Sequence, residues 1–268
     1  MRAAVLALAI SVTQAFANCA EAQDRVLVGS DRLPVRGYRD QVASIADGDR
    51  LIYPGNVAIR VGRKLGCGGT TCVYEVSEPA WWKGKAVRVP MDEEALSHVG
   101  YFISGEPALR EHGVPSVAIH AARSDQFVIV EKIESRMTLE RLFRDPFAVP
   151  EAERRHLVAE LKRFAVRTRD FERISDFRPD QLHFVDRRGW ILVDWNDHHQ
   201  LRAPGGSGGD AFEPVFKAWV GFWGQDPKKA EWLRSLQGEI HHAIAAARSG
   251  GGIEHSVSGC EAGFLGIK

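Results

Sequence analysis

The spacing of apolar residues changes character along the chain. In the first half, apolar and polar residues alternate in short runs, and this period of two is typical of strands with one buried face. The clearest case is V-A-I-R-V-G-R-K-L-G-C-G-G-T-T-C-V-Y-E-V at 57–76, which predicts two strands joined by a glycine-rich turn. Further strands are predicted at residues 85–89, 114–121 and 126–133.

In the second half, apolar residues recur at the three- and four-residue spacing of helices. Residues 150–169 are the clearest helix, with a predicted buried face of Leu157, Leu161, Phe164 and Ala165. A short helix opened by Thr138 is predicted before it. Two helices are predicted to follow, at 212–223 and at 228–247, the second with a buried stripe of Trp232, Leu236, Ile240 and Ile244. Strands followed by helices predict an α+β fold.

The exception in the first half is residues 91–112, which predict a helix with a break near Gly105. Glu106 and Pro107 follow the break, and proline suits the first turn of a new helix.

The stretch I-S-D-F-R-P-D-Q-L-H-F-V-D-R-R-G-W-I-L-V-D at 174–194 carries the candidate chemistry. Its second half predicts a hairpin that turns at Arg188 and Gly189 and ends on Asp194. A loop carboxylate, Asp176, and an amide, Gln181, precede the hairpin. Carboxylate and amide oxygens are suitable ligands for Mg²⁺ on phosphates, and phosphoryl transfer also needs a group that orients the attacking hydroxyl.

This stretch resembles the catalytic loop and metal-binding strand of the protein kinases, D-x-K-P-x-N followed by D-F-G. The intervals from Asp176, five residues to Gln181 and eighteen to Asp194, are those expected in that family. The resemblance implies that Asp176 orients the acceptor hydroxyl and that Arg178 contacts the transferred phosphate. It also implies that Gln181 and Asp194 hold Mg²⁺.

The segments upstream resemble the same family in the same order. The run L-G-C-G-G-T-T-C-V-Y is similar to the kinase glycine-rich loop, which implies that ATP contacts Gly66, Gly68, Gly69, Thr70, Thr71 and Val73. Arg88 stands where the family has the strand lysine that binds phosphates. Glu106 is the candidate for its helix partner, and Glu93, Glu94 and Glu111 are competing candidates. The backbone from Glu131 to Ile133 stands where the adenine edge would bind.

The resemblance implies a two-lobed protein kinase-like fold with ATP and Mg²⁺ as cofactors and protein Ser/Thr hydroxyls as acceptors. The expected units are a lead-in at 23–55, an N-lobe at 56–133, a reduced C-lobe at 134–248 and a tail at 249–268, as in minimal secreted bacterial effector kinases.

Three departures favour an alternative. Arg88 replaces lysine, Gln181 replaces asparagine, and D-W-N replaces D-F-G. An inactive pseudokinase that binds a protein partner would tolerate all three, and a small-molecule kinase is a second alternative.

Residues 1–22 read as a secretory signal peptide, with Arg2, an apolar core at 3–12 and an A-F-A cleavage site at 15–17. A buried N-terminal helix is the alternative. The signal peptide predicts a secreted or periplasmic protein, and a kinase there would need delivery to a host cell to meet ATP. No other segment has 18 uninterrupted apolar residues, so we expect no stable membrane insertion.

Export makes disulfides possible for the four cysteines. Cys67 and Cys72 flank the predicted turn, which favours a bond between them and leaves Cys19 and Cys260 as a second pair. In a reducing host cytosol all four would instead stay unpaired. The formal net charge is +0, so no overall electrostatic field attracts the protein to nucleic acid. We expect a monomer.

Overall fold

The computed structural model describes residues 24–26, 37–124, 126–171, 173–174, 177–195 and 210–249. The predicted signal peptide, the C-terminal tail, the Cys19–Cys260 pair and Asp176 lie outside these residues.

A seven-stranded sheet forms the first part of the described chain, in the order β1-β2-β3-β4-β5-β7-β6. Its strands are β1 (Asp24–Val26), β2 (Arg50–Tyr53), β3 (Val57–Cys67), β4 (Thr71–Glu78), β5 (Ala86–Pro90), β6 (Ile119–Arg123) and β7 (Phe127–Val130). Only β1 and β2 pair in parallel. β1 and β2 lie within the predicted lead-in at 23–55, and β3 to β7 lie within 56–133.

The β3–β4 hairpin confirms the predicted pair of strands around a glycine-rich turn. Val61 pairs with Val76 and Cys67 with Cys72, and register shifts bend the hairpin between these pairs. On β4, alternate residues are buried, as the period of two predicts.

Two helices accompany the sheet, α1 (Tyr38–Ala43) and α2 (Glu93–Glu111). The predicted break near Gly105 is wrong, because α2 runs without interruption through Pro107. The predicted strand over 114–121 is also partly wrong. Its first half is instead a connection that meets β10 (Gly189–Leu192): Leu192 N–H donates to Pro115 O, and Val117 N–H donates to Leu192 O, at 2.9 and 3.0 Å.

The second part of the chain is mainly helical. It contains α3 (Leu139–Arg144), α4 (Glu151–Arg167), α5 (Glu213–Phe222) and α6 (Pro227–Ser249), with a three-stranded sheet of β8 (Met137–Thr138), β9 (Leu182–Val185) and β10. Thr138 Oγ1 caps α3 as predicted, accepting from Arg141 N–H at 3.1 Å. The predicted face of α4 is buried, whereas on α6 Leu233 takes the buried position predicted for Trp232.

Two apolar clusters form the core of the described residues. The smaller one fills the space between α1 and one face of the large sheet, where Tyr74 Oη donates to Val42 O at 2.6 Å. The larger one extends from α2 through β10 to α4 and α6. The result is the mixed α+β fold that the sequence predicts. Among the described helices, none is long and apolar enough for a membrane span.

Trp190 on β10 is a testable contributor to the larger cluster. It is 1% exposed, and its Nε1 donates to Leu157 O at 2.9 Å, which ties β10 to α4. We expect Trp190→Phe to lower the free energy of unfolding by about 1–3 kcal/mol, since it removes buried volume and leaves the carbonyl unpaired. Trp81→Phe is the matched control, because Trp81 is 75% exposed. Equal urea-unfolding midpoints for the two variants would contradict this packing.

Candidate functional site

A cleft with a volume of about 680 Å³ lies between the glycine-rich turn and the end of β10. The 3₁₀ helix Pro179–Gln181 also borders it. Ten predicted site residues line it: Gly66, Gly68, Gly69, Thr70, Thr71, Val73, Arg88, Arg178, Gln181 and Asp194. Four residues that the sequence analysis did not single out line it as well: His98, Arg173, Asp180 and Val193. The fold thus brings the glycine-rich turn and the 174–194 stretch to one place.

A disulfide closes the glycine-rich turn. Cys67 and Cys72 are bonded, which confirms the predicted pairing, and Gly68 N–H donates to Thr71 O at 2.9 Å inside the loop. The cross-link and the hydrogen bond restrict the turn to a narrow set of conformations.

Two contacts from neighbouring elements hold the same turn. Met91 N–H, just before α2, donates to Thr70 O at 2.8 Å. The guanidinium of Arg39, on α1, donates to Gly69 O and pairs with Asp92 at 3.2 Å. The carbonyl side of the turn is therefore occupied by protein contacts.

The amide side of the turn is open. Among the residues that the structure describes, the N–H groups of Gly69 and Thr70 have no acceptor. A Cβ added at Gly66 or Gly69 would meet no atom within 4 Å, and at Gly68 it would meet only Thr71 O at 3.9 Å. None of these three glycines has positive φ. Neither packing nor backbone conformation requires glycine here, and the lack of side chains leaves the amides open to close approach.

Arg88 and Asp194 form the central ion pair of the cleft. Arg88 Nη2 donates to Asp194 Oδ1 at 2.6 Å, and Nη1 donates to Val193 O at 3.0 Å. The two charged side chains are 13% and 31% exposed. Because charge-assisted hydrogen bonds strengthen as water is excluded, this pair fixes the end of β10 against β5.

Aromatic rings support this pair, and sequence reasoning missed them. The Arg88 guanidinium lies 4.3 Å from the centre of the Phe102 ring, and Trp195 stacks on Phe102 at 4.1 Å. Trp195 Nε1 also donates to Phe102 O at 2.9 Å. The tryptophan after Asp194, which the sequence analysis treated only as a departure from D-F-G, therefore locks Asp194 to α2.

The predicted pairing of Glu106 with Arg88 is wrong. Glu106 pairs with Arg110 on its own helix at 3.5 Å, whereas Arg88 pairs with Asp194. The reason is the helical phase of the unbroken α2: Phe102, one turn before Glu106, is the residue that α2 places against the guanidinium.

Gln181 and Arg178 sit in the 3₁₀ segment and are already engaged. Gln181 is 3% exposed, and its Oε1 accepts from Arg178 N–H at 3.1 Å. The Arg178 guanidinium pairs with Asp180 at 3.3 Å, while Gln181 O accepts from Val193 N–H at 2.9 Å. These bonds hold the segment beside Asp194.

His183, near the start of β9, contacts the backbone of the same 3₁₀ segment. Its Nε2 lies 3.1 Å from Asp180 O, and burial lowers the pKa of the imidazole despite that contact. The neutral ring is therefore favoured at neutral pH, and it can donate to this carbonyl.

The predicted adenine-binding backbone, Glu131 to Ile133, is not part of the lining of this cleft. Ile133 lines a separate hollow of about 940 Å³ with Leu65 and Phe184. Glu131 N–H already donates to Ala118 O at 2.9 Å, and its carboxylate pairs with Arg188. Glu131 O and Ile133 N–H have no partner among the described residues.

The described residues contain no group of three or more His, Cys, Asp or Glu side chains placed to hold a metal. Asp176, the predicted base, lies outside them. In sequence comparisons, no protein-family model and no curated protein matches the chain. The cleft itself is therefore the feature that bears on function.

The disulfide gives a first test of the turn. We expect Cys67→Ser/Cys72→Ser to lower the free energy of unfolding by about 2 kcal/mol, because a short closed loop is released in the unfolded chain. The background for both proteins is Cys19→Ser/Cys260→Ser. In that background, dithiothreitol should lower the melting temperature of the disulfide-bonded protein to that of the variant and leave the variant unchanged. A reductant-insensitive parent protein would refute the cross-link.

The Arg88–Asp194 pair gives a second test. We expect Asp194→Ala to cost about 1–3 kcal/mol in urea unfolding, because a half-buried guanidinium loses its acceptor. Asp186→Ala is the matched control, since Asp186 pairs with Arg136 at the surface with side chains 67% and 84% exposed, and should cost about 0–1 kcal/mol. Equal losses for the two variants would mean that the Asp194 contact adds nothing to stability.

Proposed function

We propose that the chain is an ATP- and Mg²⁺-dependent phosphotransferase of the protein kinase-like type, with a kinase-like two-lobed fold and protein Ser/Thr hydroxyls as acceptors. The observation that carries the proposal is the cleft. It brings together, in the chain order of that family, a glycine-rich turn with open amides, a strand arginine and a strand-end aspartate.

The turn fits phosphate. Two adjacent N–H groups, at Gly69 and Thr70, lack acceptors among the described residues, and no side chain at Gly68 or Gly69 blocks the approach. Amides grouped in a turn bind anions through fixed partial charges, and a turn already held in shape loses little entropy on binding.

The Asp194 carboxylate could serve as one ligand of the metal. Its Oδ1 accepts from Arg88 and from Trp195 N–H, and among the described residues its Oδ2 has no partner. Gln181 fits less well, because its Oε1 already accepts a hydrogen bond, although an amide oxygen has a second lone pair. Mg²⁺ bound here would neutralise phosphate charge.

In the proposed reaction each residue has one task. The turn amides would hold the phosphates, and Asp194 would hold Mg²⁺ in a position that Arg88 fixes. Asp176 would accept the proton of the acceptor hydroxyl, and Arg178, which lines the cleft, would contact the transferred phosphate. Because the transition state of phosphoryl transfer is loose, such positioning supplies most of the acceleration.

A pseudokinase that binds a protein partner is the second candidate, and one observation favours it. Gln181 Oε1 is buried in a local hydrogen bond to Arg178 N–H, so the second metal ligand of the family is not freely presented. Such a protein would keep the cleft and lose phosphoryl transfer.

The first experiment measures the melting temperature of the protein with and without ATP plus Mg²⁺. Ligand at a hundred times its Kd stabilises by about 2.7 kcal/mol, which is a shift of roughly 5–10 °C in a chain of this size. We expect that shift to require Mg²⁺ and to disappear in Asp194→Asn, which keeps the shape of the side chain. Asp186→Asn, on the exposed β9–β10 turn, should retain it.

Transfer of labelled γ-phosphate to the chain itself or to an added protein then separates the two candidates. Phosphate incorporation that Asp176→Ala abolishes would identify an enzyme, whereas nucleotide binding without incorporation would identify the pseudokinase. No thermal shift with any nucleotide would refute the phosphotransferase and leave the protein-binding module.

A further inference from the structure

His98 faces the phosphate end of the cleft from α2. It lines the main cleft and also a small adjoining hollow of about 30 Å³, which is large enough for a water molecule. Thr70, Thr71, Arg88 and Asp194 provide the other polar groups of that hollow. The imidazole is therefore placed where a group bound to the turn amides would also meet α2.

The ring nitrogens of His98 have no hydrogen-bond partner among the described residues. The imidazole lies beside the Tyr101 ring, at a centroid distance of 6.4 Å. The hydroxyl groups of Thr70 and Thr71 are likewise unpartnered within the described residues. Three polar side chains without a protein partner in the described chain therefore border one hollow, beside the open amides of Gly69 and Thr70. Together these groups form a set of donors that an anion with several acceptor atoms would match.

Arg88, by contrast, is already engaged by protein groups. Its two terminal nitrogens donate to Val193 O and Asp194 Oδ1, and the face of the guanidinium lies on Phe102. Moving it onto a ligand would break two hydrogen bonds and leave Asp194 without its counter-charge. Its contacts are those of a positioning residue for Asp194.

We propose that His98 is the α2 residue that binds ligand phosphate, together with the amides and hydroxyls of the turn, while Arg88 positions Asp194. The inference rests on the proposed function in naming the ligand as a nucleotide. The site itself requires only a polyphosphate anion, so the two can be tested separately.

The test measures Kd by isothermal titration calorimetry at one fixed pH for two probes, inorganic tripolyphosphate and ATP with Mg²⁺. We expect His98→Leu to weaken both about tenfold, the effect of losing one hydrogen bond to a charged group. His98→Gln should lose less affinity, because the glutamine amide can still donate a hydrogen bond. His98→Arg should retain binding, because the guanidinium also donates. His120→Gln, on exposed β6, is the matched control and should bind as the unchanged protein does.

The melting temperature without ligand separates binding from folding. The melting temperature should stay within about 2 °C in the His98 variants, because the imidazole makes no hydrogen bond to a described residue. It should fall by more in Arg88→Met, which leaves Asp194 without its counter-charge. Unchanged Kd values in both His98→Leu and His98→Gln would overturn the inference and leave the proposed function standing.

The two probes distinguish the remaining outcomes. If tripolyphosphate binds in a way that depends on His98 and ATP does not bind, the anion site is supported and the assignment of its ligand as a nucleotide is refuted. If the unchanged protein binds neither probe, the inference and the proposed function both fail.

Discussion

One charged contact between two distant parts of the chain determines the shape of the cleft. Arg88 comes from the middle of the large sheet and Asp194 from the strand end of the helical part, and their contact at 2.6 Å sets how closely those parts approach. Phe102 and Trp195 shield the pair from water, which strengthens it and raises the cost of separating it. The turn, the 3₁₀ segment and α2 all meet around this pair. Without it, the cleft would lose the fixed separation between its two walls.

The glycine-rich turn shows how a flexible sequence becomes a defined surface. Glycines are expensive to order, because they lose more backbone freedom on folding than other residues. Here the disulfide, the Met91 amide and the Arg39 guanidinium all hold the turn. These contacts use its carbonyls and leave amides on the opposite side, so the turn presents donors whose ordering cost was met in folding. An acceptor that meets these amides would therefore not have to order the turn.

The features that the sequence predicts correctly are local ones. The β3–β4 hairpin, its disulfide, the Thr138 cap and the face of α4 follow from periods and turn residues within a few positions of each other. The β9–β10 hairpin that delivers Asp194 is local in the same way. The interpretation as a kinase-like site depends on the order of such local features along the chain.

The features that it misses depend on tertiary contacts. Pro107 predicts a helix start, but α2 tolerates a proline in its interior, and the resulting phase puts Phe102 rather than Glu106 against Arg88. The choice of Asp194 as the partner of Arg88 spans more than a hundred residues, and no local pattern encodes it. His98 carries no motif at all, and its position becomes visible only when α2 is placed against the turn. The tryptophan in place of the D-F-G phenylalanine was the one available signal that an aromatic residue of α2, not a glutamate of that helix, packs against Arg88.

The hydrogen bonds of Leu192 to Pro115 and Val117 have a mechanical consequence. The chain passes from the sheet to the helical part through residues 131–136, and these two bonds join the parts at a second place, one strand position before Val193. Together with the Arg88 contacts to Val193 O and Asp194 Oδ1, they attach three consecutive residues at the end of β10. A shift of β10 along its neighbours would have to break all of these bonds at once. The register of β10, and with it the distance of Asp194 from the turn, is therefore set by backbone hydrogen bonds as well as by the ion pair.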